Sequence, residues 1–246
     1  MSLDRDAVRA FHATGLLGPF DVLDEESMAE VRRDLVERIF LETAPPSGWF
    51  ANARHLDEPS IYELLSHPAL IGRLTALYGP DLVLWNSAFW IKKPEDPEVP
   101  WHQDLHYWPM DPPLNFSVWL AISEATPENG ALEALPGSHL QVLPVVEAGD
   151  GYLFSKMTDP ASFDPAAAQC LAMRPGQAII FSDRLLHRSG LNRTATDRIG
   201  LVGRYTLPVV QLFQDRLPLF PAHHSILVTG EDRFQKNRSG PPPTRS

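Results

Sequence analysis

A histidine and an aspartate stand two residues apart in Trp101-His102-Gln103-Asp104. In an extended segment, residues i and i+2 point to one side. An imidazole and a carboxylate at that spacing can therefore face one point, and the pair suits a divalent first-row metal. A third ligand must come from elsewhere in the chain. His187 is the candidate, because it follows the apolar run Ala178-Ile179-Ile180-Phe181 and precedes a Ser189-Gly190 turn. Two histidines and one carboxylate leave one face of the ion open, the arrangement that suits an Fe(II) site taking a keto acid and O2. On this reading 2-oxoglutarate chelates through its C1 carboxylate and C2 keto oxygens, O2 enters last, and oxidative decarboxylation gives succinate and CO2.

The distal carboxylate of 2-oxoglutarate calls for a deep cation. Arginine matches it with two parallel hydrogen bonds. Arg198 lies 11 residues after His187, beyond a polar connecting loop. It is expected to open the next strand, beside the one bearing His187. By alternation Arg198, Gly200, Val202 and Arg204 share a face of that strand. Gly200 is expected to leave room for a ligand, and Arg204 is the alternative for the arginine role. Each of these features alone is weak; their joint occurrence in one region of β texture carries the reading.

The elements that must position these residues are legible in outline. Residues 4–13 read as a short helix with Gly15 past its end. Asp24 is a plausible N-cap for a helix to about residue 42, in which Met28, Val31, Leu35 and Ile39 form one apolar face. Residues 59–66 read as helical. Pro68 opens a further helix, with Leu70, Ile71, Leu74 and Leu77 on its buried side, that Gly79-Pro80 stops. The texture then changes to short runs rich in Val, Ile, Trp and Phe. Strands are expected at 82–92, 99–103, 115–123, 131–135, 170–173, 177–182 and 198–209. Helices do not alternate with them, which disfavours a parallel βαβ sheet. The expectation is a mainly β chain: a double-stranded β-helix of jelly-roll or cupin type with the N-terminal helices packed outside.

Composition bounds the rest. A length of 246 residues fits one domain, expected over 1–230, with the proline-containing end 231–246 as a flexible tail. Hydrophobic residues at 43% are enough for a core. A net charge of −10 argues against nucleic acid and anionic membranes as partners. The single cysteine, Cys170, excludes an internal disulfide and a cysteine-based zinc site, and is expected as a buried or semi-buried thiol. No signal-like or membrane-spanning run is seen, so the expected location is cytoplasmic. The adjacent pair His223-His224 is expected at the surface.

Several segments resemble the phytanoyl-CoA dioxygenase family. They are Phe11 to Leu23, Ile91-Lys92-Lys93, Val99 to Asp104, Trp119 to Thr126 with Glu128 to Leu132, and Leu135-Pro136-Gly137-Ser138-His139. The block Pro175-Gly176-Gln177, Phe181, His187, Ser189, Gly190, Asn192 and Arg198 completes the match. The resemblance implies a double-stranded β-helix and 2-oxoglutarate use. It implies that Trp119 and Ser189 line the cosubstrate pocket, with Lys93 or its neighbour Lys92 reaching it. Asn129-Gly130 and the Pro-Gly-Ser-His stretch are read as chain reversals, with His139 structural. Related halogenating enzymes replace the metal carboxylate with a small residue, so Asp104 favours hydroxylation. No basic cluster is present for a CoA phosphate, which favours a small polar metabolite, such as a biosynthetic intermediate in specialised metabolism. His106, Tyr107 and Asp111 follow the first ligands and are candidate substrate contacts, while Trp108 is read as packing. The poorly matched segment 140–169 could form a lid. The alternatives are a cupin-like metal enzyme without 2-oxoglutarate, in which Arg198 is dispensable for cofactor binding, and a jelly-roll binding protein without turnover.

Overall fold

The computed structural model describes residues 3–35, 39, 52–216 and 223–245. Apart from Ile39, the expected helical stretch 36–42 lies outside these residues.

The helices begin where the sequence places caps. Asp4 accepts from the Ala7 N–H at the start of α1 (Arg5–Thr14), and Gly15 ends that helix in the left-handed region at φ 74°. Asp24 accepts from the Ser27 N–H at the start of α2 (Glu25–Leu35). Prolines open α3 (Pro59–Leu65) and α4 (Pro68–Tyr78), where a missing N–H costs nothing. Met28, Leu35, Ile39, Leu70 and Leu74 are fully buried. They pack on one face of the larger sheet.

That sheet has six strands in the order β1-β10-β5-β12-β2-β14. In chain order they are β1 (Leu16–Asp21), β2 (Leu82–Lys92), β5 (Phe116–Ala121), β10 (Gln177–Ser182), β12 (Arg198–Thr206) and β14 (Ile226–Thr229). The facing sheet has four strands in the order β3-β11-β6-β9: β3 (Val99–His102), β6 (Leu132–Ala134), β9 (Gln169–Leu171) and β11 (His187–Ser189). The paired strands of both sheets run antiparallel. Two small pairs complete the set. One joins β4 (Met110–Asp111) to β13 (Gln211–Leu212), the other β7 (Val145–Glu147) to β8 (Lys156–Thr158). This is the double-stranded β-helix with outer helices that the sequence implied.

Alternation divides the large sheet into two faces. Ile199, Leu201 and Tyr205 of β12, with Val118 and Leu120 of β5 and Ile180 of β10, meet the helices. Val202, Trp119, Ile179 and Phe181 face the small sheet and form a second core. Arg198, Gly200 and Arg204 follow Val202's parity, so they too face inward.

Four expectations need correcting here. Arg198 does not begin a strand beside that of His187. β12 pairs with β2 and β5, whereas β11 pairs with β3 and β6. The turn between Ser182 and His187 carries the chain from one sheet to the other, so the two residues face each other across the barrel. Residues 231–245, expected as a loose tail, are tied back: Asn237 Oδ1 accepts from the Leu212 N–H, the Arg238 N–H donates to Gln214, and Arg245 pairs with Glu63. His223 is buried rather than on the surface, with its Nε2 against the Trp85 carbonyl. Cys170 lies exposed on β9, a short edge strand of the small sheet. Among the described residues, no helix is long and apolar enough to cross a membrane.

His55 gives the fold a pH dependence. It is fully buried, with Nδ1 2.8 Å from the Ser87 hydroxyl. Burial first, then the neighbouring His223 and His224, pushes its imidazole down to about 3. An unfolded histidine takes its proton near 6.5. Between those values the unfolded chain binds more protons, so stability falls as pH drops below about 6.5. The slope reaches at most about 1.4 kcal/mol per pH unit for this group. Burial raises Asp183 to about 7, and that group acts in the opposite sense over the same range. Thermal melts of the wild type and His55→Gln from neutral to mildly acidic pH isolate the histidine. The gap between the two should narrow as pH falls, and a constant gap would refute it.

Candidate metal centre and pocket

His102 and His187 are direct cross-strand partners on β3 and β11, with ring centroids 4.2 Å apart. Each ring is held by its Nδ1: His102 against the Pro100 carbonyl at 2.8 Å and His187 against the Leu185 carbonyl at 2.9 Å. Such bonds fix the tautomer with the proton on Nδ1, leaving the Nε2 lone pair free. The chain stays extended through Gln103, so Asp104 returns to the side of His102 although it opens a short 3-10 turn. Its Oδ1 is 3.6 Å from His102 Nε2, and the Ser117 hydroxyl donates to Oδ2 at 3.4 Å. Ligand atoms of His102, Asp104 and His187 all lie within 4.8 Å of one another, and all three residues are buried.

Charge agrees with a cation site. Burial alone would raise the Asp104 carboxyl, but the His102 ring, Arg204 and His187 outweigh it and hold the group well below the usual carboxylate range. Burial, then repulsion from His102, lowers His187 to about 4, so its ring is neutral at neutral pH. An ionised carboxylate and a neutral imidazole are the protonation states that metal ligation needs. The donor set and its geometry therefore fit a divalent iron.

Gln103, between His102 and Asp104, points the other way and is fully buried. Its amide donates to the carbonyls of Gln141 and Arg184, and its oxygen accepts from the Leu143 N–H. One side chain thus ties the segment bearing His102 and Asp104 to the turn before His187. Ser138 adds a second tie, its hydroxyl accepting from the Leu186 N–H at 2.9 Å. The Pro-Gly-Ser-His stretch therefore holds the turn that leads into His187 as well as reversing the chain. His139 bonds to the His12 carbonyl and stands outside the ligand cluster.

Across the barrel, Arg198 is 3% exposed. Its Nη1 donates to the Gly130 carbonyl at 2.6 Å and the Ser189 hydroxyl at 3.3 Å, and its Nε has no partner among the described residues. The guanidinium lies 5.3 Å from the centroid of the Trp119 ring. Burial pulls it down to about 10, still a cation at neutral pH. Ser189 Oγ also donates to Gly130, at 2.7 Å. The Asn129-Gly130 turn supplies the acceptor that orients both residues, a role sequence reading missed. Gly130 is at φ 76°, and a Cβ there would lie 2.6 Å from the Gly190 carbonyl oxygen.

The lysine expectation is corrected. Lys93 is exposed beyond the end of β2, whereas Lys92 pairs in register with Arg198 and is buried. Lys92 Nζ donates to the carbonyls of Pro97 and, at 3.4 Å, Ser189. Burial and then Arg198 lower it to about 8. Strand parity decides between the two lysines, and parity needs the register.

A cavity that opens to solvent at its mouth joins the His102, Asp104, His187 cluster to Arg198. His102, Asp104, His187, Trp119, Ser189, Arg198 and Arg204 line it, with Trp90, Phe154 and Phe181 as aromatic walls. Phe154 comes from the segment 140–169 and sits 5.0 Å from the His102 ring, so that segment does cover the site. The expected substrate contacts lie outside this lining. His106 and Asp111 are exposed, Asp111 on β4, and Tyr107 packs at the rim against His102 and Phe154. The 3-10 turn after Asp104 carries these side chains outward. Trp108 packs on Trp85, as read.

Gly200 also differs from expectation. A Cβ there would fall inside the indole of Trp119, so the glycine makes room for Trp119 rather than for a ligand. Gly200→Ala is expected to cost about 1–3 kcal/mol through overpacking and to displace Trp119 from beneath Arg198. A lower melting temperature together with weaker 2-oxoglutarate binding checks this. A melting temperature equal to that of the wild type would show that the indole has another place to go.

Comparisons place the chain among known proteins. The dioxygenase lolE1 of Epichloe uncinata is 28% identical over 143 residues, covering 58% of this chain and 53% of its own. The chain spans about half the length of the curated relatives it matches. The non-haem monooxygenase ThoJ in its apo form superposes with a TM-score of 0.77 at 24% identity, over 96% of this chain and 87% of its own. CytC3, solved with Fe(II) and alpha-ketoglutarate, gives 0.76 at 23% identity over 97% and 93%. Both share the fold. The model of the phytanoyl-CoA dioxygenase family (PhyH) matches residues 11–200, a span that includes the buried ligand cluster and Arg198, and the chain belongs to that family.

Proposed function

We propose that this protein is an Fe(II)- and 2-oxoglutarate-dependent oxygenase that hydroxylates a small-molecule metabolite in specialised-metabolite biosynthesis. The observation that carries the reading is the buried His102, Asp104, His187 cluster sharing one cavity with Arg198. His102, Asp104 and His187 are the metal ligands, and Arg198, Ser189 and Trp119 form the end that takes the distal carboxylate. Iron held there supplies open positions for a chelating keto acid and for O2, whose reduction coupled to decarboxylation drives oxidation of a substrate C–H bond.

The residues of the chain do the rest. Arg198 binds the distal carboxylate through charge-assisted bonds. Ser189 and Gly130 hold the guanidinium in place, and Trp119 supports its flat face. Ser117 orients the free oxygen of Asp104. Trp90, Phe154 and Phe181 exclude water from the space where the substrate is held, which strengthens every charge interaction inside.

Anaerobic visible spectroscopy of the purified apo-protein tests the proposal. A metal-to-ligand charge-transfer band should appear only when both Fe(II) and 2-oxoglutarate are present. Folded, iron-loaded protein that gives no band would sink it and favour a cupin-like metal enzyme. A band without succinate release across a substrate panel would favour a binding protein.

A further inference from the structure

Arg204 is a second buried arginine in the cavity, and the proposed cosubstrate site does not use it. It lies on the same face of β12 as Arg198, six residues along, which is roughly 20 Å of extended chain. A 2-oxoglutarate chelated to the metal through its C1 carboxylate and keto oxygens has one carboxylate left, and the proposed cosubstrate site gives that carboxylate to Arg198. Arg204 is 4% exposed and lines the cavity. Its guanidinium lies 4.4 Å from the centroid of the Trp108 ring, which holds it in place. Its Nε has no hydrogen-bond partner, and no carboxylate lies within ion-pair distance among the described residues. Its strand neighbours Asn86 and Ser117 are neutral, and Asn86 Oδ1 is also buried without a partner.

A buried guanidinium without an anion is costly. The acid whose field reaches it is Asp104. In the loaded enzyme that charge is committed to the metal, as are the charges of the chelating end of the cosubstrate. Arg198 answers the distal carboxylate. One positive charge then remains in the cavity, on Arg204. We propose that Arg204 is a substrate-anchoring residue that binds a carboxylate carried by the substrate, making this oxygenase selective for small monoanionic carboxylic acids. The inference rests on the oxygenase reading.

The test is anaerobic calorimetric titration of the Fe(II)- and 2-oxoglutarate-loaded enzyme with acetate and benzoate, and with benzamide as the uncharged match. Benzoate should bind at least about tenfold more tightly than benzamide, the selectivity expected of a buried charge-assisted bond. This arm needs no variant, so it survives any folding defect. Arg204→Gln should weaken benzoate by a similar factor while leaving 2-oxoglutarate affinity within about twofold. Arg204→Lys should recover part of the loss. Equal affinity for benzoate and benzamide, no carboxylate binding at millimolar concentration, or unchanged benzoate binding in Arg204→Gln overturns the proposal. So does loss of 2-oxoglutarate binding in Arg204→Gln, which would make Arg204 the cosubstrate anchor. If the wild type binds no 2-oxoglutarate, the oxygenase reading fails by itself, and the same titration of metal-loaded protein still decides whether Arg204 selects a carboxylate.

Discussion

Asp104→Ala is expected to lose Fe(II) affinity by at least about 100-fold, above the 10–100-fold typical of partners one step removed from a metal. Asp104 is the anionic member of the His102, Asp104, His187 cluster. Without it, two neutral imidazoles must hold a dication in a buried site, and the field of Arg204 is no longer offset. The apo-protein should remain folded, since among the described residues the lost carboxylate is held only by the Ser117 hydroxyl at 3.4 Å and the His102 ring at 3.6 Å. Equilibrium dialysis against Fe(II), with circular dichroism as the folding control, checks both parts. Retained iron affinity would mean that the metal ligands lie elsewhere.

Arg198→Gln should separate the cosubstrate from the metal. Truncating one partner of a buried charge pair costs about 2–5 kcal/mol, a fall of roughly 30- to 5,000-fold in 2-oxoglutarate affinity. Iron affinity should be unchanged, because Arg198 projects from the large sheet and two of the three proposed ligands come from the small one. The variant apo-protein should be at least as stable as the wild type, because a buried cation with few partners is replaced by a neutral amide. Titrating 2-oxoglutarate into iron-loaded variant and wild type, followed by the charge-transfer band, gives the ratio. Unchanged affinity would reassign the distal carboxylate to Arg204 or Lys92 and return the cupin-like reading to consideration.

The elements visible in the sequence are those whose cause is local. Asp4, Asp24, Pro59, Pro68 and Gly15 act within one turn of the helices they bound, so α1, α3 and α4 and the start of α2 follow from spacing alone. The strands 82–92 and 177–182 stand at their expected limits because long Val-, Ile- and Trp-rich runs declare themselves. The strands β4, β7, β8, β11, β13 and β14 are two to four residues long, too short for periodicity to register. They exist through partners distant in the chain, as when β14 joins β2. β1 carries no alternating pattern in the sequence, because Gly18 and Pro19 interrupt it.

The candidate site divides along the same line. The sequence by itself determined the residue types and their parity: His102 with Asp104 across an extended Gln103, and Arg198 with Arg204 on one face of β12. Both depend on the two-residue repeat of extended chain, which is a property of the backbone. Only the tertiary structure decided that His187 pairs with His102 in register, that Lys92 rather than Lys93 stands beside Arg198, and that Gly200 serves Trp119. It also placed His106 and Asp111 outside and Phe154 inside, and made the Gly130 carbonyl the anchor of Arg198. These outcomes depend on strand register and on how the two sheets face each other. Both are set by packing between segments 50 to 100 residues apart, such as Arg198 with Gly130 and Lys92 with Ser189, and no local spacing encodes them.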